Sequence, residues 1–320
     1  MSVPLILAPM ADLSHRALRE LIETFSGCDY YYSEMTSAAR ILSAGAYEKY
    51  YLDAGPRPEK LVYQIEGGKE QNLAAAASLL DKTECAGIDI NMGCCAPAIL
   101  RSGAGAAWLF DSEKTKVMIS LVRKNVMRHK LSVKLRIGKT DSFENLVSFC
   151  TMLQNQGVDI ITLHPRTTKE KFRSWVRWEY IGQLKKELHI PVVGNGDITS
   201  VEDLCRRSAD GSCSAVMAGR LAVRQPWCFA KAVTGTKFAG SKNAPSNLEE
   251  TALLFLDLLS KYQPAEFYCS RARRFFYYFC GNFMWAEYMR NELNRQEKIT
   301  EMAETLKKFF KENPQENKPV

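Results

Sequence analysis

The sequence lacks the patterns that mark membrane-spanning and secreted proteins. No apolar run approaches the roughly 18 to 20 residues that a membrane-spanning helix needs. The apolar stretch at the start of the chain is short, is interrupted by Pro4 and Pro9, and has neither a basic leader nor a small-residue cleavage site. We therefore expect this stretch to form a buried strand, and the protein to be soluble and cytoplasmic.

Missing spacings also argue against several metal and redox sites. The chain has ten cysteines but no CxxC pair, which disfavours zinc and thioredoxin-type sites. Without a secretion signal, we expect all ten to be reduced thiols. Histidine occurs only four times, and no carboxylate cluster has the spacing of metal ligands, so we expect no metal ion.

The composition is that of a globular protein with a modest basic excess. The 320 residues, 46% hydrophobic and 25% charged, allow one large domain or two ordinary ones. The net charge of +7 is compatible with an acidic partner such as RNA, but charge alone is weak support. Residues 241–320 carry 12 basic and 11 acidic side chains, so the excess lies in the first 240 residues.

Short apolar or β-branched runs alternate with segments of helical periodicity over the first 220 residues. The runs are 5–10, 30–35, 61–66, 87–93, 131–138, 158–165, 190–197 and 215–220. Because such alternation indicates a parallel sheet covered by helices, these units predict an α/β fold, a (β/α)8 or TIM barrel, over residues 1–238. Residues of the N-cap type predict helix starts at Ser14, Asp111, Asp141 and Thr199.

The pattern changes after the barrel. Residues 239–247 are rich in Gly, Ser, Asn and Pro, which indicates a linker. Residues 248–312 have helical apolar spacing and no strand signal, which predicts a small all-helical domain. We expect the tail, residues 313–320, to fray.

Polar residues recur where the predicted strands end, which is where a (β/α)8 barrel carries its active site. They are Glu34, Gln64, Glu66, Asn91, Cys94, Cys95, Lys134, Arg136, His164, Arg166, Asn195, Asp197 and Arg220, in addition to Pro9, Met10 and Gly219. A purely structural barrel does not need this ring, so the pattern predicts an active site at that end.

Two of these residues have more than one interpretation. Lys134 lies within an apolar strand, so its ammonium should face either an anionic or electron-rich partner or a buried carboxylate, Glu34 or Glu66. His164 is either a structural histidine or, because Arg166 and Thr167 follow it, a contact for an anion or cofactor.

Glycines after the last two predicted strands indicate a phosphate site. The segments GNGD (194–197) and AGR (218–220) lie where phosphate groups commonly bind in this fold, although tight turns alone would also explain them. The segment GAGAAW (103–108) does not directly follow a strand and lacks a third glycine, so we reject a Rossmann dinucleotide site.

Eight fragments in order carry a family resemblance over residues 4–310. They are LAPMADLSHRALR (7–19), SEMTSA (33–38), QIEGG (64–68), DINMGCC (89–95) with GAGAAWL (103–109), SVKLRIG (132–138), LHPRT (163–167) followed by Trp178, VVGNGDI (192–198), and AGR with QPW (218–227). With this set the chain resembles the tRNA-dihydrouridine synthases, which are FMN-dependent enzymes. Dihydroorotate dehydrogenases and old yellow enzymes share the fold and the flavin but not the set.

The resemblance implies a role for each matching position. Pro9, Met10 and Ala11 would line the flavin, and Gln64, Lys134 and His164 would hydrogen-bond it. The FMN phosphate would be held by Asn195, Gly196, Gly219 and Arg220, and the target uracil would contact Asn91 and Arg136. We expect Asp197 to be a further cofactor-binding residue and Arg166 a further substrate-binding residue. Cys94 would be the catalytic acid that protonates C5 of a uracil, while reduced FMN gives hydride to C6 and NADPH re-reduces the flavin.

The chain departs from the family pattern at two positions. Cys95 replaces the proline that usually follows the catalytic cysteine. Because Ile99 and Gly105 keep the family spacing from Asn91, we infer a substitution without an insertion and retain Cys94 as the acid. Cys95 is then a buried filler, a redox-sensitive neighbour or the true acid. Phe172 replaces a tyrosine, which predicts the loss of one hydrogen bond to substrate.

Two basic segments are candidates for contact with tRNA. Segment 265–295 mixes aromatic residues, which we expect to be core, with arginines that we expect to contact phosphates. These are Arg271, Arg273, Arg274, Arg290 and Arg295. Segment 164–189 has seven basic residues against three glutamates, which we expect at the active-site rim. The target uridine would be flipped out of the RNA, and the enzyme would act as a monomer.

Three other functions remain open on the sequence. The first is a flavin oxidoreductase that acts on a free pyrimidine or small enone. The second is a catalytically inactive RNA-binding barrel, which Cys95 and Phe172 leave possible. The third, a metal-dependent aldolase, is disfavoured because no cluster of metal ligands is present.

Overall fold

The computed structural model describes residues 3–170, 173–234 and 245–318. Its strands are β1 (Leu5–Leu7), β2 (Tyr30–Tyr32), β3 (Thr36–Ser37), β4 (Leu61–Glu66), β5 (Gly87–Met92), β6 (Lys130–Arg136), β7 (Ile160–His164), β8 (Val192–Asn195) and β9 (Ala215–Ala218). Nearly every strand residue is buried, as expected for a parallel sheet covered by helices.

The strands close into a barrel and confirm the predicted fold. Strand β1 pairs in parallel with both β2 and β9, and β2 also pairs in parallel with β4, so eight strands form a ring. The two-residue β3 is an addition that lies beside the end of β4. Because all pairs are parallel, the carboxyl ends of the strands meet at one end of the barrel.

Helices surround the barrel and continue beyond it. In the first part they are α1 (Arg16–Thr24), α2 (Ala38–Ser43), α3 (Glu48–Tyr51), α4 (Glu70–Leu80), α5 (Pro97–Arg101), α6 (Ser112–Asn125), α7 (Phe143–Asn155), α8 (Trp178–Glu187), α9 (Val201–Ala209), α10 (Arg220–Arg224) and α11 (Cys228–Thr234). The later ones are α12 (Leu248–Tyr262), α13 (Tyr268–Phe279), α14 (Ala286–Arg295) and α15 (Ile299–Glu312). None of the helices over the described residues is long and apolar enough to span a membrane.

One of the predicted helix caps is confirmed and three are wrong. Asp111 caps α6 by accepting a bond from the Lys114 N–H at 2.9 Å. For α7 and α9 the cap is the serine one residue later, Ser142 or Ser200, because that residue supplies the extended backbone before the first turn. Ser14 instead exchanges hydrogen bonds with Met10 two residues before α1 begins.

The C-terminal helices pack on the barrel around a stack of phenylalanines. Helix α12 lies against α1, and the rings of Phe255 and Phe275 stack with centroids 3.6 Å apart. Of the predicted linker, residues 239–244 lie outside the described residues, and Asn247 is the N-cap of α12. In described residues 245–318 no strand occurs, as predicted.

The expectation of a frayed tail is wrong as far as residue 318. Residues Pro314–Asn317 form a short 3-10 helix in which Glu316 is buried and accepts a bond from the Met284 N–H at 2.8 Å. Asn317 accepts a bond from the first turn of α12, at the Glu249 N–H. These two bonds hold the tail against the helical domain.

A buried ion pair joins the barrel to the helical domain. Arg271 on α13 donates to Glu34, just after β2, at 3.0 Å, and both side chains are only 2% exposed. The other Glu34 oxygen accepts the Asp12 N–H at 2.8 Å, and the Arg271 guanidinium also lies over the rings of Tyr51 and Phe267. Arg271 is therefore internal, and the expectation that it contacts RNA phosphates is wrong.

Removing one partner of this pair should destabilise the fold strongly. We predict that Arg271→Ala lowers the free energy of unfolding by about 3–5 kcal/mol, because it leaves the Glu34 carboxylate buried and unpaired. Arg274→Ala, at an exposed arginine on the same helix, is the matched control and should stay within about 0.5 kcal/mol. Urea denaturation measures both, and equal effects for the two variants would contradict the prediction.

Candidate active site

The strand ends bring the predicted site residues together from distant parts of the sequence. In the sheet register Asn91 lies beside Lys134, and Arg136 lies beside His164. On the other side of the ring, Met10 reaches the loop after β9, since a Cβ atom on Gly219 would lie 3.2 Å from the Met10 sulfur. These neighbours therefore lie together at the mouth of the barrel, and their role as one site stays a prediction.

The turn that carries Cys94 is held by the side chain of Asn91. The Asn91 Oδ1 accepts two main-chain bonds, from Gly93 N–H at 3.1 Å and from Cys94 N–H at 3.0 Å. Its Nδ2 donates to Gln64 Oε1 at 2.8 Å. Gln64 Nε2 donates to Asp89 at 2.8 Å, so Gln64, expected to contact flavin, and Asn91, expected to contact uracil, each have one amide N–H outside these bonds.

Gly105 fits against this turn in a way that no other residue could. Its φ is +59°, and a Cβ atom there would lie 2.6 Å from the Cys94 carbonyl oxygen and 2.8 Å from Ile99 Cγ2. The Ala106 N–H also donates to the Cys94 carbonyl at 2.9 Å. Gly105, whose family spacing from Asn91 supported Cys94 as the acid, therefore lies in direct contact with Cys94 and Ile99.

Cys95 points back toward its own turn. Its half-buried thiol donates to the Gly93 carbonyl at 3.5 Å, and the Arg136 Nε donates to the same carbonyl at 3.1 Å. Arg136 also donates to the Thr167 carbonyl at 3.2 Å, so the guanidinium spans the ends of β5 and β7 beside both cysteines. Its expected contact with the substrate stays a prediction.

Positive charge is concentrated around His164. Burial lowers the pKa of this imidazole well below its usual range, and Lys134, Arg136, Arg166 and Arg220 each lower it further. Because an arginine only donates, the 3.1 Å contact of Arg166 Nη1 with His164 Nε2 makes that nitrogen an acceptor. His164 is thus a neutral imidazole among four cations, an arrangement suited to an anionic ligand.

Lys134 does not pair with either of the carboxylates considered from the sequence. Glu34 is bound to Arg271, and Glu66 lies near Ser37 and Arg40. Burial lowers the pKa of Lys134 to about 8 and Arg136 adds to this, whereas Asp89 and Cys94 act in the opposite direction. The ammonium therefore lies close to the Cys94 turn, half-buried at the barrel mouth.

Asp197 links two of the arginines. It accepts a bond from Arg166 at 2.5 Å and one from the half-exposed Arg220 at 3.2 Å. Arg166 is itself only 3% exposed and also donates to the Ser174 carbonyl, so it lies beneath the loop after β7. Its expected role in substrate binding stays a prediction.

The remaining positions expected to contact flavin lie at the same mouth. Pro9 and Met10 are half-buried, and Ala11 is exposed. Asn195 donates from Nδ2 to the Met217 carbonyl at 2.9 Å, which connects the ends of β8 and β9. Gly196 has a φ of +123°, and a Cβ atom there would lie 2.8 Å from the His164 ring.

Few of the arginines expected to contact RNA are unpaired. Arg273 is half-buried and donates to the Gln296 carbonyl at 2.7 Å. Arg290 pairs with Glu287, and Arg295 pairs with Glu292. Arg274 is exposed, as is Arg295 despite its ion pair.

The basic segment 164–189 is divided between two ends of the barrel. Arg177 is bound to Asp141 and Glu170. Lys185 donates to the Gly211 and Cys213 carbonyls, which precede β9, so the end of α8 lies opposite the site. Exposed basic residues near the site are Lys169 and Arg173, while Lys171 and Phe172 lie outside the described residues. The expected basic rim is therefore smaller than the sequence indicated.

The sequence reasoning missed several residues. Trp175 is 90% exposed in the loop after β7. Both of its neighbours lie at the site: the Ser174 carbonyl accepts a bond from Arg166, and a Cβ atom on Gly196 would lie 3.0 Å from Val176. An aromatic residue beside basic ones is a signal that could have identified it. On the helical domain Tyr277, Trp285 and Tyr288 are exposed, although most of the other aromatics there are core as expected.

Asp89 was also missed, because an acidic residue inside an apolar strand gives no indication of which way it faces. The structure buries it completely below the Cys94 turn. Among the described residues no group of three or more His, Cys, Asp or Glu side chains is close enough to hold a metal ion.

Comparisons with known proteins agree with the earlier resemblance. The sequence model of the dihydrouridine synthase family matches residues 6–314. A probable tRNA-dihydrouridine synthase of Aquifex aeolicus (strain VF5) is 34% identical over 232 residues, which are 70% of this chain and 71% of that protein. One of Rickettsia prowazekii (strain Madrid E) is 30% identical over 270 residues, 83% of this chain and 79% of that protein.

A solved structure supports the fold. A 2-naphthoyl-CoA reductase in complex with 2-naphthoyl-CoA matches this chain with a TM-score of 0.55 at 12% identity. The match covers 72% of this chain and 50% of the reductase, so this chain spans about half of that protein. At this identity the likeness concerns the barrel architecture alone.

Gly105→Ala should disturb the Cys94 turn more than an ordinary glycine substitution. Gly211 also has a positive φ, +74°, but no atom lies within 4 Å of its Cβ position, so Gly211→Ala is the matched control. We predict a cost of about 1–2 kcal/mol for the control from backbone conformation alone. Gly105→Ala should cost about 1–3 kcal/mol more from overpacking, measured by urea denaturation. Equal costs would contradict the contact with Cys94.

Proposed function

The chain belongs to the dihydrouridine synthase family and is an oxidoreductase, and on that premise we propose that it reduces a uridine of tRNA to 5,6-dihydrouridine, with FMN as its bound cofactor and NADPH as reductant. The observation that carries the proposal is the convergence of Cys94, Asn91, Arg136, Lys134 and His164 at one barrel mouth. Cytoplasmic location, a monomeric state and the division between barrel and RNA-binding domain remain predictions.

The charges at the barrel mouth fit an FMN. Lys134, Arg136, Arg166 and Arg220 all lie close enough to His164 to lower its pKa, and Asp197 balances only part of that charge. A phosphate, with about two negative charges, would offset most of the remaining charge at the ends of β8 and β9. Asp197 would repel a phosphate directly, so we assign it the role of orienting Arg220.

The chemistry divides between the cofactor and this chain. When bound, reduced FMN supplies a hydride to C6 of the uracil and is restored by hydride from NADPH. Cys94 protonates C5 through its thiol, which the turn held by Asn91 carries at the barrel mouth. Water can restore that proton.

Arg136 and Asn91 would act on the substrate carbonyls. Arg136 is held beside the Cys94 turn by its bonds to the Gly93 and Thr167 carbonyls, so its charge needs no reorganisation during the reaction. The remaining Nδ2 hydrogen of Asn91 is available for a hydrogen bond. Both groups would stabilise the negative charge that develops on the uracil oxygens after hydride arrives.

The RNA would approach across the loop after β7. Trp175 is exposed there, with exposed Lys169 and Arg173 in the same loop. A lysine and an arginine bind phosphates, and a tryptophan offers a ring face on which a nucleobase stacks. Because a uridine must leave its stack to enter a barrel mouth, we assign Trp175 to a base next to the flipped nucleotide.

The purified protein should be yellow, with FMN absorbance that NADPH bleaches and tRNA restores. Cys94→Ala should bind FMN and be reduced as before, but its reoxidation by tRNA should slow by about 10²- to 10⁴-fold, the usual contribution of a general acid. Stopped-flow absorbance spectroscopy measures both steps.

Cys95→Ala is the matched control for that measurement. If Cys94 is the acid, the control should retain most of its turnover, because the Cys95 thiol faces the Gly93 carbonyl. A loss in Cys95→Ala with normal turnover in Cys94→Ala would assign the acid to Cys95. Reoxidation by free uracil compounds but not by tRNA would favour a small-molecule oxidoreductase, and absence of FMN binding would end the proposal.

Trp175→Ala should weaken tRNA binding without changing FMN content. Loss of one stacked base should raise the Kd by about 5- to 150-fold, measured by fluorescence anisotropy with labelled tRNA. Met127→Ala, at a 79% exposed residue before β6 on the opposite end of the barrel, is the matched control and should bind like wild type. Equal Kd values for both variants would show that Trp175 does not contact RNA.

A further inference from the structure

The Asp89 carboxylate lies under the proposed active site and has no part in the reaction described above. It is 0% exposed, in the middle of β5. Its Oδ1 accepts a bond from the Ser132 hydroxyl at 2.6 Å, and its Oδ2 accepts one from Gln64 Nε2 at 2.8 Å. Burying a carboxylate costs free energy. Packing alone therefore does not explain why this one is buried with only two neutral donors.

A continuous path of hydrogen bonds leads from Asp89 to the Cys94 turn. Gln64 donates to Asp89 and accepts from Asn91, and Asn91 accepts from the N–H groups of Gly93 and Cys94. Three buried side chains, on β4 and β5, therefore connect the barrel interior to the main chain of the proposed acid. Each link is between 2.8 and 3.1 Å long.

The carboxylate gives this path a direction. An amide side chain has a donor end and an acceptor end, whereas a carboxylate only accepts. Because Asp89 only accepts, Gln64 must direct its amide nitrogen toward Asp89 and its amide oxygen toward Asn91. Asn91 must then present its nitrogen to Gln64 and its oxygen to the turn. If the Gln64 amide were reversed, its nitrogen would face the Asn91 Nδ2 donor. If Asn91 were then also reversed, its nitrogen would face the main-chain N–H groups of Gly93 and Cys94.

We propose that Asp89 is a positioning residue, which fixes the orientation of the Gln64 and Asn91 amides and thereby holds the main chain of Cys94 in place. The inference rests on the proposed function only in naming Cys94 as the acid. The ordering of the turn that carries Cys94 follows from the hydrogen bonds alone. Other groups near the carboxylate are Lys134 on β6 and, through Ser132, the Tyr32 hydroxyl.

Hydrogen exchange tests the positioning without requiring activity. Asp89→Leu should speed exchange in a peptide that spans residues 91–97 by about tenfold or more, because the Asn91 oxygen is no longer held toward the turn. Asn91→Leu removes the acceptor directly and sets the maximum effect. Asp89→Asn keeps the volume and shows the same change to a smaller extent, which covers the case in which the leucine variant does not fold.

Asp81→Leu is the matched control. Asp81 is also a buried acid, 6% exposed, and accepts the N–H groups of Met127, Arg128 and His129 at the opposite end of the barrel. It should lower thermal stability while leaving exchange at residues 91–97 unchanged. Faster exchange at 91–97 in the control, or unchanged exchange there in both Asp89 variants, would overturn the proposal.

A double-mutant comparison distinguishes positioning from a general structural role. If Asp89 acts through Cys94, Asp89→Asn should slow tRNA-dependent reoxidation at least severalfold in the wild-type background and have little further effect in Cys94→Ala. Equal losses in both backgrounds would overturn the proposal. If wild type itself fails to react with tRNA, the proposed function fails, while the exchange result still decides the role of Asp89.

Discussion

Hydrogen bonds between β1 and β9 close the sheet, and the rest of the site depends on that closure. They bring Met10, near the start of the sequence, against Gly219, more than two hundred residues later. With every strand parallel, eight carboxyl ends face the same space, so short loops suffice to place Cys94, Arg136 and His164 near one another. The closed ring also provides a rigid support for a turn whose geometry matters to fractions of an ångström.

The site carries more positive charge than its own acids balance. Burial and neighbouring cations hold His164 neutral and lower the pKa of Lys134 to about 8, which means that the free protein bears an electrostatic cost there. An anionic ligand would remove that cost. The helical domain offers little unpaired charge by comparison, because Arg271 pairs with Glu34, and Arg290 and Arg295 pair with acids of their own helix.

The fold, and the position of several polar residues at one end of it, were predictable from the sequence because both depend on local patterns. Apolar runs marked the strands of the ring, and polar residues at the run ends marked the mouth. Sequence patterns do not show which way a side chain points. The sequence could not show that Arg271 turns inward to Glu34, that Lys185 lies at the far end of the barrel, or that Ser142 and Ser200 cap helices in place of their neighbours. The path from Asp89 to Cys94 joins residues on two strands and a turn, and so exists only in the folded chain.

The proposed reaction at this barrel mouth is the reduction of uridine within tRNA. Nucleoside mass spectrometry of unmodified tRNA, after incubation with the FMN-loaded protein and NADPH, detects its product. We expect dihydrouridine, recognised by the mass of two added hydrogens, at a defined position, with far less product from Cys94→Ala. A tRNA that stays unmodified while the protein holds FMN and oxidises NADPH would contradict the proposed reaction.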